Sequence, residues 1–259
     1  MHALVMVCAL LAQDTVTLKL QPKVGDKLSV VEKMESKIHV LVNAGGQKIE
    51  VDVEQRESKK IVQECLGVDN DAITKGSYKV EEAIEEKKEP GQTEFVRIQK
   101  PAHGKTIVVE RKGTEFVRTG AEGIAEKDLK DFSLEDVFAL TFPKTPVAVG
   151  ASWEVPPETI KKMFHDVNWE GLMKLTLKEV KSIDGRKCAV LDATIKLKGK
   201  SDEGIEVMMD VSGPVIIWID RGYTLGVKFQ GTMGMKGDTA EAKMDGKGPL
   251  TLDVSAVPQ

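Results

Sequence analysis

Apolar residues in this chain recur at every second position, in run after run. From Leu28 to Val42 the even positions carry Leu28, Val30, Met34, Ile38, Val40 and Val42, while charges fall mostly on odd ones. From Ile49 to Cys65 the odd positions carry Ile49, Val51, Val53, Ile61 and Cys65. A two-residue period marks strands with one buried and one wet face. Similar runs cover 76–88, 94–100, 105–111, 114–119, 172–183, 187–199, 204–219, 223–236 and 248–254. About eleven strands with short turns predict a mainly β protein, whose long antiparallel meanders form a curved sheet or open barrel.

The alternation also predicts registers. Asn43-Ala44-Gly45-Gly46 is a turn cluster, and a four-residue loop there pairs Val40 with Ile49. That hairpin buries its apolar face and exposes Lys48, Glu50, Asp52 and Glu54. A three-residue loop Asp220-Arg221-Gly222 pairs Ile219 with Tyr223, Ile217 with Leu225, Val215 with Val227, Met209 with Met233 and Val207 with Met235. Trp218 then shares the opposite face with Ile216 and Met208. A two-residue Arg221-Gly222 loop, with a bulge at Gly213-Pro214, is the alternative and pairs Trp218 with Leu225.

Helical signals are few. Ser133-Leu134-Glu135-Asp136 offers an N-cap and two acids, within a stretch from Gly123 to Leu140 that reads as one or two short helices ending before Pro143. Pro157 to Phe164 reads as another, with proline first and lysines later. The block Glu81-Glu82-Ala83-Ile84-Glu85-Glu86 reads as a solvated edge strand protected by charge.

Val24-Gly25-Asp26-Lys27-Leu28-Ser29-Val30 repeats as Val149-Gly150-Ala151-Ser152-Trp153-Glu154-Val155, each copy following a proline and opening a run of strands. The glycine turn would aim the next large apolar residue, Trp153 in the second copy, into the core. The expected organisation is a β-rich half at 13–143 ending in short helices and a related half at 144–259. Ala3 to Ala12 reads ALVMVCALLA, too short for a bilayer span and suited to the core of a secretory signal. Residues 1–12 are therefore expected to be signal-like and the protein exported, periplasmic or extracellular; a buried first strand is the alternative. Cys65 and Cys188 would then remain, and two buried free thiols are preferred to a bridge.

Pro146, Val149, Gly150 and Trp153, with the hairpin Ile217-Trp218-Ile219-Asp220-Arg221-Gly222-Tyr223, resemble features of uncharacterised bacterial secreted proteins built from long β-meanders. The general plan is more distantly similar to the open half-barrel of periplasmic lipoprotein carriers. That resemblance implies a concave apolar face shielding acyl chains, and it carries over no functional residue, because no motif matches residue by residue.

Catalytic chemistry is not evident in the sequence. His2, His39, His103 and His165 show no ligand spacing and read as surface or structural residues. Asp69-Asn70-Asp71 begins like a calcium loop without its glycine and terminal glutamate. Gly150-Ala151-Ser152-Trp153-Glu154 fails the nucleophile-elbow pattern at its last position. The net charge of −4 and pI near 5.7 argue against a nucleic-acid partner. No cofactor and no transmembrane segment are expected, and the sequence sets no oligomeric state.

Seven of ten methionines fall between 163 and 244: Met163, Met173, Met208, Met209, Met233, Met235 and Met244. Methionine fills irregular core gaps and lines adaptable apolar surfaces, and nearby glycines allow a strand to coil sharply. Met209, Phe229, Met233, Met235 and Trp218 are the candidate ligand-binding residues, for a lipid-like or other apolar ligand or a partner held on the curved sheet. The reading leans non-enzymatic. A structural or assembly module with a solid core is the alternative, and a hydrolase with dispersed carboxylates the third reading.

Overall fold

The structure is a computed structural model describing residues 15–88, 91–113, 115–164, 167–201, 204–238 and 242–259. The signal-like residues 1–12 and His165 lie outside the described residues. In chain order the elements are β1 (Thr15–Val16), β2 (Lys27–Ala44), β3 (Gln47–Asp69), β4 (Ala72–Lys88), β5 (Val96–Gln99), β6 (Thr106–Lys112), β7 (Glu115–Thr119), α1 (Glu126–Leu129), β8 (Val147–Ala148), β9 (Ser152–Glu154), α2 (Pro157–Met163), β10 (Val167–Ile183), β11 (Arg186–Ser201), β12 (Glu206–Trp218), β13 (Tyr223–Asp238) and β14 (Ala242–Pro258).

All but β1 and β8 belong to one 12-stranded sheet with the order β7-β6-β4-β3-β2-β14-β13-β12-β11-β10-β9, and β5 also pairs with β4. The sheet is antiparallel and does not close into a barrel. The meander β2–β7 and the meander β9–β14 join where β14 pairs with β2, Ala256 opposite Val30.

Alternation assigns the two faces. The outward face is charged, and its charges meet across strands: Lys196 with Asp210, Lys228 with Asp253, Lys236 with Asp245, Lys37 with Glu54. Such exposed pairs add little stability each, but opposite charges in register oppose slippage. The inward face carries two apolar clusters. Met173, Leu175, Leu191, Ile195, Val215 and Ile217 of the second meander lie under Val16, Leu18, Val155 and Ile160. Ile61, Tyr78, Val80, Ile107 and Val109 of the first lie under Ile124, Leu129, Phe132 and Leu134. Both covers come from irregular segments and short helices on one side of the sheet.

Several expectations are corrected. Gly45 and Gly46, at φ 57° and 81°, form a two-residue turn, so Val40 pairs with Val51 and Ile49 with Val42. The two-residue slip keeps each side chain on its expected face, yet Ile49 and Val53 stay 48% and 40% exposed because they lie near the uncovered strand tips. Met209–Met233, Val207–Met235 and Val215–Val227 pair as expected. Nearer the turn a bulge at Leu225 shifts the register, so Ile217 meets Thr224 and Trp218 meets Tyr223. The bulge accommodates a longer turn whose Gly222 N–H donates to Trp218 O at 2.6 Å and which packs on the chain at Lys19–Leu20.

The acidic block is not an edge: β4 lies between β3 and β5/β6, and its acids are paired, Glu81 with Lys60 and Glu85 with Lys87. The stretch 123–140 does hold one short helix, α1, but residues 133–138 are not helical and Ser133 caps no helix there; Asp136 Oδ1 instead accepts the Phe138 and Ala139 N–H groups where the 3₁₀ turn Ala139–Thr141 begins. Trp153 is half-buried because β9 is an edge strand, and its indole N–H donates to Thr141 O at 2.9 Å. Pro157–Met163 does form α2, with proline at its start and Lys161 and Lys162 in its last turn, and Cys65 and Cys188 are free and buried.

The two Val-Gly turns are the same local structure. Gly25 and Gly150 sit at φ 91° and 88°. Gly25 N donates to Cys65 O and Cys65 N to Asp26 O; Gly150 N donates to Leu177 O and Leu177 N to Ala151 O. Each turn thus clamps the first strand of a meander to the second.

Candidate functional site

The inward face continues beyond its covers toward the strand tips as rows of apolar residues. In one row Val207 pairs with Met235, Met235 with Gly246, Gly246 with Val40 and Val40 with Val51. In the next, Met209 pairs with Met233, Met233 with Gly248, and Ile38 with Val53. The rows cross five strands, from β12 to β3, and both meanders contribute.

A crease, a close approach of β14 to β2, runs beneath these rows. A Cβ on Gly248 would lie 1.7 Å from Lys37 O. Only glycine permits that approach, so β14 presses into β2 there. β13 and β2, which flank β14, come within 8 Å across it, closer than the roughly 9.5 Å of two ordinary strand spacings. Ile38 and Val40 lie at the base of the crease, already buried at 5% and 4% exposure, with their Cγ2 atoms packed beside Gly246. Met209, Met233 and Met235 are half-buried on one side, Met34 is half-buried further along β2, and Ile49 and Val53 form the opposite, more exposed rim.

The structure therefore brings Met209, Met233 and Met235 together in this trough. Phe229 shares their face but is buried deeper, edge-on to Phe138 at 6.1 Å, in the closed core below the trough. Trp218 is separated from them. It lies on the outward face with Arg186 and Arg221 over its ring at 5.5 and 5.4 Å. Ile38, Val40, Val51 and Val53 were not linked to the methionines by the sequence, although the alternation in β2 and β3 exposes their shared face. Their link is the β14–β2 pairing, which no local pattern announces.

One polar patch interrupts the inward face beside the trough. Successive inward positions of β3 run Val51, Val53, Gln55, Glu57, Lys59, Ile61, so three polar residues stand in an apolar series. Gln55 donates to Glu57 at 2.8 Å and to Glu85 at 3.1 Å. Lys100 donates to Glu57 at 3.1 Å and lies 3.7 Å from Glu85, which also meets Lys87 at 2.5 Å. Burial works to raise the Glu85 carboxyl, but hydrogen bonds and charge from Lys87 and Lys100 hold it below the ordinary range. Burial works to lower Lys59, and the charges of Glu32 and Asp131 override it and raise the ammonium.

Elsewhere, two open pockets of about 370 and 420 Å³ lie nearer the strand tips and are lined mainly by charged residues, Lys236, Asp238 and Lys243 in one, His39, Asp52 and Lys88 in the other. His39 is on the outward face, 2.8 Å from Asp52. His103 is structural: its Nδ1 accepts the Ala83 N–H at 3.2 Å, near Glu81, where β4 carries an extra residue against β3. Among the described residues no group of three or more His, Cys, Asp or Glu is placed to hold a metal, and no helix is long and apolar enough to cross a membrane.

No protein-family model and no curated protein matches the chain. Among solved structures, lipovitellin, studied for its lipid–protein interactions, aligns with a TM-score of 0.45 at 9% identity, over 92% of this chain and 26% of that one. The chain thus spans about a quarter of the lipovitellin chain. A DUF1329 family protein from Desulfovibrio piger aligns with a TM-score of 0.16 at 8% identity, over 87% of this chain and 83% of that one.

Proposed function

We propose that the protein is an exported, non-enzymatic carrier of an apolar, lipid-like ligand, held in the trough along β12, β13, β14, β2 and β3. The observation that carries this reading is the creased apolar floor at Ile38 and Val40, with half-buried methionines beside it. Burying those walls against an apolar chain would gain about 25 cal/mol per Å², and methionine can repack around differing ligands. Export rests on the apolar run Ala3–Ala12. The division at 13–143 and 144–259 into related halves is part of the reading, supported by the matched turns at Gly25 and Gly150.

A second reading, a structural module with a solid core, is favoured by the proximal half of the same face. Met173, Leu175, Leu191 and Ile217 there are wholly buried by the chain's own cover, which leaves the ligand only the distal half.

Native mass spectrometry of protein purified from its host tests the first reading, together with titration of an uncharged fluorescent alkyl probe. A co-purifying lipid, and probe binding that Met209→Asp or Met233→Asp abolishes in folded protein, are the expected results. Probe binding indifferent to both substitutions would overturn the site. No binding at all would leave the solid module.

A further inference from the structure

The polar patch at the trough's side is the least expected feature of the inward face. Charges belong on the outward face of a half-buried sheet, which here is amply charged already. A break in such a pattern that the fold does not require is the usual mark of a functional position. Lys59 has a structural use, since it reaches Asp131 in the cover at 2.7 Å. Gln55, Glu57, Glu85 and Lys100 instead meet one another; Gln55 lies opposite Ser36, one row from Ile38 and Val53, and Glu57 lies opposite Met34, one row further.

The signs in the patch alternate. Lys87 meets Glu85, Glu85 meets Lys100, and Lys100 meets Glu57 at 2.5, 3.7 and 3.1 Å. These four side chains carry no excess charge. A head group with a single charge entering here would satisfy one neighbour and repel the next, at a distance and in a half-buried setting where charges interact strongly. A head with one cation and one anion can insert sign for sign, with Glu57 or Glu85 on its cation and Lys100 on its anion.

We propose that the ligand is a single- or double-chain amphiphile with a zwitterionic head, its tail over Met209, Met233 and Ile38 and its head at Glu57, Glu85 and Lys100. This rests on the apolar-ligand reading and deepens it.

The experiment compares hexadecyl-chain probes below their micellar concentrations: a zwitterionic lysophospholipid, palmitate, hexadecyltrimethylammonium and uncharged hexadecanol. Each is titrated into the full chain by calorimetry at low salt. The zwitterion is expected to bind about tenfold tighter than either singly charged probe. Glu85→Gln combined with Lys100→Gln should erase that preference while hexadecanol binding is retained. Lys100→Gln alone serves if the double variant does not fold, and should at least halve the preference. Equal affinity for all heads, or a preference that survives these substitutions, overturns the proposal while hexadecanol binding upholds the trough. Failure of every probe, hexadecanol included, overturns the trough and the head site together.

Discussion

The carboxylate of Asp136 holds Thr224 at two points, accepting its backbone N–H and its hydroxyl, both at 2.9 Å, from 88 residues away in the chain. The same carboxylate accepts the N–H groups of Phe138 and Ala139 at 3.0 and 3.3 Å. It thus caps the 3₁₀ turn and pins the cover of the second meander to β13.

Asp136→Ala should destabilise the protein by about 2 kcal/mol, because four half-buried donor contacts lose their acceptor together. Burial raises the carboxyl above the ordinary aspartate range even though the four hydrogen bonds oppose the shift. A raised acid favours its protonated form in the folded state, so the contribution is fully present below the ordinary value near pH 4 and is lost as pH rises through the folded value. Relative to Asp136→Asn, which does not titrate there, the unsubstituted protein should gain stability as pH falls from 7 toward 4. Urea melts of both proteins across that range read the difference, and a constant gap would refute the shift.

The paired turns yield a matched test. A Cβ on Gly25 or Gly150 meets nothing within 4 Å, so alanine at either site is penalised only by backbone conformation. Each substitution should cost about 1–3 kcal/mol. The two values should agree within about 0.5 kcal/mol, since the hydrogen-bond frames coincide and the sites are independent. A clear inequality in denaturant melts would mean that the likeness stops at the Val-Gly pair.

Alternation made the faces of the sheet legible from sequence, and it did so even where the register was misplaced. Val40 was expected opposite Ile49 and lies opposite Val51, but a slip of two leaves side-chain parity unchanged. The methionine pair Met209–Met233 was legible for the same reason. Features that depend on distant strands were not. The bulge at Leu225 accompanies a turn that packs on Lys19 and Leu20, about two hundred residues upstream. The crease depends on how closely Gly248 approaches Lys37. Ser133 was read as the cap and Asp136 as a first-turn acid, yet it is Asp136 that accepts the N–H groups of Phe138, Ala139 and the distant Thr224. At the candidate site, the sequence supplied one wall of the trough and left out its floor, because Ile38 and Val40 belong to the other meander.

Met173 and Met209 should separate core packing from trough lining. Met173 is wholly enclosed, and Met173→Ala should cost about 2–5 kcal/mol through the cavity it leaves. Met209 and Met233 are half-buried at the uncovered end, and each alanine variant should cost about 1 kcal/mol. Because the two face each other directly in register, their double-mutant cycle should show coupling of at least about 0.5 kcal/mol. Additive effects would mean that the side chains point away from one another and that no common wall exists.

The crease itself can be tested at Gly248. A strand glycine with room beside it tolerates alanine, and Gly226 is such a case, with Ile216 Cδ1 the nearest atom at 3.4 Å. Gly226→Ala should therefore change stability by less than about 1 kcal/mol. At Gly248 the added methyl would meet Lys37 O at 1.7 Å and Ile38 Cα at 2.8 Å. Both are backbone atoms, so no side-chain rotation relieves the clash and β14 must lift from β2. The expected loss is about 3 kcal/mol or more. Lifting β14 would also flatten the trough, since β14 joins β13 to β2. Amide exchange in Ile38 and Val40 should then quicken more than in Leu191 or Ile195, which lie in the closed core of the second meander. If Gly248→Ala is as mild as Gly226→Ala, β14 is not tightly creased against β2, and the floor of the trough loses its physical basis.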